Sequence, residues 1–125
     1  MAKRITAALC LIILSLSLAC GSYLYIKNTS EELIALSDVV IEKQLGGEDI
    51  SAAFGELLLK WDSNSELFGV ILKHSDADVI GRYFLELESA KACADGEKIY
   101  DLLTELKAFL TVTLRGESPA IENIF

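Results

Sequence analysis

Between Ile5 and Ile26 the chain reads ITAALCLIILSLSLACGSYLYI, a run of 22 residues without one charged side chain. As a helix it would be about 33 Å long at about 1.5 Å per residue, enough to cross the roughly 30 Å hydrocarbon core of a bilayer. Lys3 and Arg4 precede the run and Glu31 and Glu32 follow it. Positive residues are retained in the cytoplasm, so this asymmetry predicts a single-pass protein with its N-terminus inside and the remainder outside the cytoplasmic membrane. Tyr23 and Tyr25 then fall at the outer interface, which suits a ring with a polar hydroxyl.

A second reading uses the same residues. In SLACGS, Cys20 follows a small residue, as the lipidated cysteine of a bacterial lipoprotein does, and acyl chains would replace the helix as the anchor. Ser17 stands where that motif prefers leucine, and the apolar character continues through Leu24 and Ile26, both of which favour an uncleaved helix. Either anchor leaves the rest of the chain outside the cytoplasm. The expected organisation is a membrane anchor or signal segment at 1–27, an extracytoplasmic helical bundle at 28–117 and a C-terminal tail at 118–125.

The charge of the exterior part limits its partners. Lys3 and Arg4 are two of the 11 basic residues, and all 19 acidic residues lie beyond the apolar run, so the segment from Lys27 onward carries -10 against -8 for the whole chain. Nucleic acid and anionic lipid both need Lys and Arg to neutralise phosphates, and no basic cluster is present, so the expected partners are the bilayer that the apolar run crosses and another protein. Cys10, Cys20 and Cys93 form no CxxC motif and no evident disulfide pair.

Beyond the anchor the apolar period is helical throughout, predicting an all-α fold: a transmembrane helix followed by a small antiparallel bundle. Thr29 and Glu32 have capping-box spacing, followed by stripes at Leu33, Leu36 and Val40 and at Ile34, Ile41 and Leu45; the helix ends at Gly46 and Gly47. Continuity of this helix with the membrane span is an open alternative. Asp49 is the expected cap of the next helix, with Ile50, Phe54, Leu57, Leu58 and Trp61 on its buried face. DSNS at 62–65 predicts a break, followed by a short buried helix through Leu67, Phe68, Val70, Ile71 and Leu72. A further helix carries Val79, Ile80, Tyr83, Phe84 and Leu87, and Asp95 caps the last, whose buried stripe is Ile99, Leu102, Leu103, Leu106 and Leu110.

KHSDADV at 73–79 holds the single histidine. Ser75 and Asp78 repeat the capping-box spacing, and Asp76 and Asp78 suit the positive end of a helix dipole, so a helix start accounts for the motif. His74 is then expected just before the cap, packed on Val79 or bonded to a neighbouring helix end. Zinc asks for three or four ligands and an EF-hand for a dense run of oxygens, and neither pattern occurs here. No cofactor or catalytic motif such as GxSxG, a phosphate loop or HExxH is present. Ser118 and Pro119 suit the opening of a final turn, and Ile121, Ile124 and Phe125 are expected to close one end of the bundle or to dock on another protein.

Taken in order, the N-terminal membrane segment, Trp61 at the close of the second helix, the HSDADVI stretch with His74, Ser75, Asp78 and Ile80, and the terminal Glu122, Asn123, Ile124 and Phe125 give a pattern over essentially the full chain. It resembles the family known as domain of unknown function four-three-six-three, small membrane-anchored helical proteins of Gram-positive spore-forming bacteria. The resemblance implies architecture and location and carries no reaction with it; the Cys20 segment has no counterpart in the family pattern. The expected function is that of a non-enzymatic interaction or accessory subunit, with Trp61 and His74 fixing helix packing. The alternative is an envelope ligand or ion sensor using His74, Asp76 and Asp78.

Overall fold

The computed structural model describes residues 1–116, with side chains through Leu114. The expectations for Ile121, Ile124, Phe125 and the rest of the tail lie outside the described residues. Four helices make up the described chain: α1 (Ala2–Leu45), α2 (Ser51–Ile71), α3 (His74–Ala92) and α4 (Gly96–Gly116). α1 packs on α2 and α4, and α3 packs on the same two, while no close approach joins α1 to α3 or α2 to α4. Short connections reverse the chain each time, so the result is an up-down-up-down antiparallel four-helix bundle.

α1 has two environments. Every residue from Met1 to Gly21 is exposed, and burial starts around Ser22. From there Ile26, Ser30, Leu33, Ser37 and Val40 recur at alternating spacings of four and three and are buried against the bundle. This is the seam expected of one helix packed nearly parallel to its neighbours. The predicted capping box at Thr29 is overturned, because Thr29 is buried in the middle of one unbroken helix. Ser37 survives in that interior because its Oγ donates to the Leu33 carbonyl at 2.8 Å.

Two connections use the same device. At the end of α1 the Gly47 amide donates to the Gln44 carbonyl and the Glu48 amide to the Lys43 carbonyl, with Gly47 at φ +71°. At the end of α3 the Ala94 amide donates to Lys91 and the Asp95 amide to Ala90, with Ala94 at φ +52°. Both are Schellman closures, in which a left-handed residue lets two otherwise free carbonyls be satisfied. Asp95 then serves the next element: its Oδ1 accepts from the Lys98 amide at 3.2 Å, as expected of the cap of α4. The whole predicted stripe of α4, from Ile99 to Leu110, is buried.

The predicted break at DSNS does not occur. α2 runs through it, because Asn64 Nδ2 donates to the Lys60 carbonyl at 2.7 Å and Ser65 Oγ to that of Asp62 at 3.3 Å, both within the helix. Asn64 also stands seven residues after Leu57 and three after Trp61, on the core-facing stripe that continues to Phe68. The short separate helix is therefore the last part of α2, and Leu67 and Val70, expected to be buried, are exposed. Asp49 Oδ1 accepts from the Ser51 amide at 3.0 Å, with Ile50 occupying the cap position itself.

Candidate functional site

The helix start at KHSDADV is real, but its cap is not Ser75. Lys73 precedes the first helical residue, and its carbonyl accepts from the Asp76 and Ala77 amides, placing Ser75 inside the first turn with no capping bond from its side chain. His74 is exposed at the helix tip, as the first residue of α3 and not the residue before its cap. Asp76 is half-buried in the first turn, where the free amides favour a negative charge. Among the described residues no group of three or more His, Cys, Asp or Glu side chains is placed to share a metal ion.

Trp61 is where the sequence reading and the structure meet. Its ring stacks on Phe84 at 5.0 Å and 2° from parallel, and meets Phe68 edge-on at 5.5 Å and 87°. Phe68 in turn takes Tyr25 against its ring at 6.1 Å and 74°. Three helices are tied together by these four rings, and edge-on and stacked pairs of this kind contribute beyond the area they bury. A shallow depression lies over the same indole, lined by Ala77, Asp78, Gly81, Arg82 and Leu85. A Cβ on Gly81 would come 3.9 Å from Trp61 Cζ2, so the helix backbone lies close to the indole at that point. The fold thus brings Trp61 and Asp78 to one surface, and His74 is not among the lining residues.

The junction between the exposed apolar stretch of α1 and the bundle carried no signal in the sequence. Tyr25 Oη donates to Asn64 Oδ1, and Asn64 Nδ2 is held by the Lys60 carbonyl. The chain of bonds sits where α1 emerges from the fully exposed apolar stretch into the bundle. Glu32 and Lys60 form an ion pair one to two turns further along the same interface, and Asp38 and Lys107 pair α1 with α4. Such partly exposed pairs add little stability, yet they agree on an antiparallel register. A spacing of 39 residues between Tyr25 and Asn64 left no local signal.

The far end of the bundle carries a second polar contact that periodicity did not indicate. Gln44 Nε2 donates to the Gly96 carbonyl, while Gln44 Oε1 is buried without a partner. A cavity of about 280 Å³ adjoins it, lined among others by Ile50, Lys91, Gly96 and Ile99. Nearby, the Ser51 amide and hydroxyl, with smaller contributions from Lys91 and Lys43, hold the Asp49 carboxyl below its ordinary range.

Among the described residues α1 is the one helix long and apolar enough to cross a membrane, and its most apolar stretch is buried nowhere against the protein. No protein-family model, no curated protein and no solved structure matches this chain.

Proposed function

We propose that the chain is a membrane-anchored accessory subunit without catalytic activity, whose helical bundle stands outside the cytoplasmic membrane and engages a protein partner. The observation that carries this reading is α1, a single helix that supplies both the exposed apolar span and one wall of the bundle. Such continuity fixes the bundle's position against the bilayer without a flexible linker. The N-in, C-out orientation rests on Lys3 and Arg4 before the span and the acidic residues after it. Membership in the family of domain of unknown function four-three-six-three belongs to the same proposal, supported by the order of Trp61, HSDADVI and ENIF.

The depression over Trp61 is the surface assigned to the partner. Leu85 is exposed at its rim, and Asp78 and Arg82 place opposite charges beside the apolar floor. An amphipathic segment of another protein matches that combination. The test is a photo-crosslinking residue at position 85 of the full-length chain in cells, with mass spectrometry of the products. A reproducible protein partner supports the reading; self-crosslinks alone, or none, contradict it. The mass of the N-terminal peptide in the same sample separates an uncleaved helix from a lipidated Cys20.

A further inference from the structure

The register of α2 against α1 places the α2–α3 turn at an informative depth. Tyr25 contacts both Asn64 and Phe68, and Glu32 pairs with Lys60, so the two helices run antiparallel with Phe68 level with Tyr25. From Phe68 the chain continues four residues to Leu72, about 6 Å at about 1.5 Å per residue. The same distance back along α1 from Tyr25 reaches Gly21, inside the uncharged run that ends at Ile26. The turn is therefore level with the end of the membrane span. α3 starts from the same depth, its His74–Asp76 turn being at the opposite end of the helix from the acidic loop at Asp95.

The surface at that depth has the composition of an interface. Val70 is 80% exposed and Leu67 50% exposed, and their i, i+3 spacing puts them on one outward face of α2. Ile71 is half-buried beside them, and Lys73 follows in the turn. The opposite end of the bundle, at a similar position in its own turns, presents Glu48, Asp49, Asp95 and Glu97, with Leu45 and Lys98 exposed beside them. The turn level with the span thus presents apolar side chains and a lysine, and the far turns present mostly carboxylates. Asp76 and the exposed Glu66 limit the immersion, since a carboxylate stays within reach of water. Each polar layer of a bilayer is about 5–8 Å thick, sufficient for the turn alone.

We propose that the α2–α3 turn is a second membrane contact, with Val70, Ile71 and Lys73 resting in the headgroup layer of the leaflet from which α1 emerges. This rests on α1 being the membrane anchor. The bundle is then held at two points, and its axis has a fixed orientation relative to the bilayer.

The test uses the full-length chain in vesicles of phosphatidylcholine and phosphatidylglycerol. Cys10, Cys20 and Cys93 are replaced by serine, and a nitroxide is attached at Ile12→Cys, Leu59→Cys or Val70→Cys in turn, with helicity checked for each. Collision with oxygen, which concentrates in lipid, is compared with collision with a water-soluble nickel chelate. Leu59, exposed on α2 several turns further from the membrane, is the aqueous reference. The expected result is an oxygen-to-nickel ratio at position 70 several-fold above that at 59 and below that at 12. Equal ratios at 70 and 59 overturn the proposal while leaving the anchor intact. A label at 70 shielded from both reagents also overturns it, in favour of a protein contact. If the label at 12 itself prefers the nickel chelate, the anchor reading fails and this one with it.

Discussion

Trp61 on α2 and Phe84 on α3 lie face to face, 5.0 Å apart and within 2° of parallel, with both side chains buried. The stack joins two helices whose contact is otherwise the least extensive of the four interfaces, and its indole lines the surface assigned to a partner. Phe84→Ala should lower stability by about 3–5 kcal/mol, the usual cost of emptying a buried aromatic site. Trp61 is the single tryptophan, so its fluorescence follows unfolding directly in detergent-solubilised full-length protein. A loss under about 1 kcal/mol would show that the stack does not secure α3.

Tyr25 and Asn64 are expected to be energetically coupled. Tyr25→Phe removes the hydroxyl that Asn64 Oδ1 accepts from, at a cost of about 1 kcal/mol. Asn64→Leu leaves the tyrosine hydroxyl without its partner on an otherwise apolar stripe and costs a similar amount. The double variant has no orphaned group between these positions and should lose less than the sum of the two. Urea unfolding of all four proteins measures the difference, and strict additivity would contradict a direct bond.

Ala94 closes α3 at φ +52°, a conformation that costs an L-residue free energy and glycine very little. Ala94→Gly keeps the closure and removes that strain, and its greater freedom in the unfolded chain offsets part of the gain. A net rise in stability of about 1 kcal/mol is expected in thermal unfolding. The corresponding position at the end of α1 is already glycine, Gly47, so Gly47→Ala should have the opposite sign.

Asp49 ties part of the stability to pH. Its carboxyl is held below the usual value, first by the Ser51 amide and then by the Ser51 hydroxyl. A carboxylate with a depressed folded value contributes its full stabilisation above the ordinary range and loses it as pH falls through the depressed value. Asp49→Asn should therefore show a smaller drop in melting temperature between neutral pH and about pH 3 than the parent chain does. Parallel curves for the two proteins would show that the Ser51 contact does not persist in solution.

α4 was legible because its signals are local: Asp95 caps it and five apolar residues follow at helical spacing. The long apolar stretch of α1 was legible for the same reason. DSNS misled because Asn64 and Ser65 were read as breakers, whereas their side chains bond to carbonyls of their own helix and Asn64 fills a stripe position opposite Tyr25. Ser75 has capping-box spacing, but the chain enters the helix two residues earlier, after Lys73. Of the candidate site, Trp61 was identifiable as a stripe residue. The depression over it depends on Gly81 and Arg82 arriving from α3, a tertiary event that no local spacing encodes.

The central claim, a bundle held outside the membrane by the first half of α1, is tested most directly by Cys93. That thiol is exposed near the end of α3, far from the span. With Cys10 and Cys20 replaced by serine, intact cells making the full-length protein are treated with a membrane-impermeant maleimide. The account predicts that Cys93 is labelled without permeabilisation and that the protein stays with the membrane pellet through an alkaline carbonate wash. Labelling only after the cells are opened, or release into the wash, would contradict it.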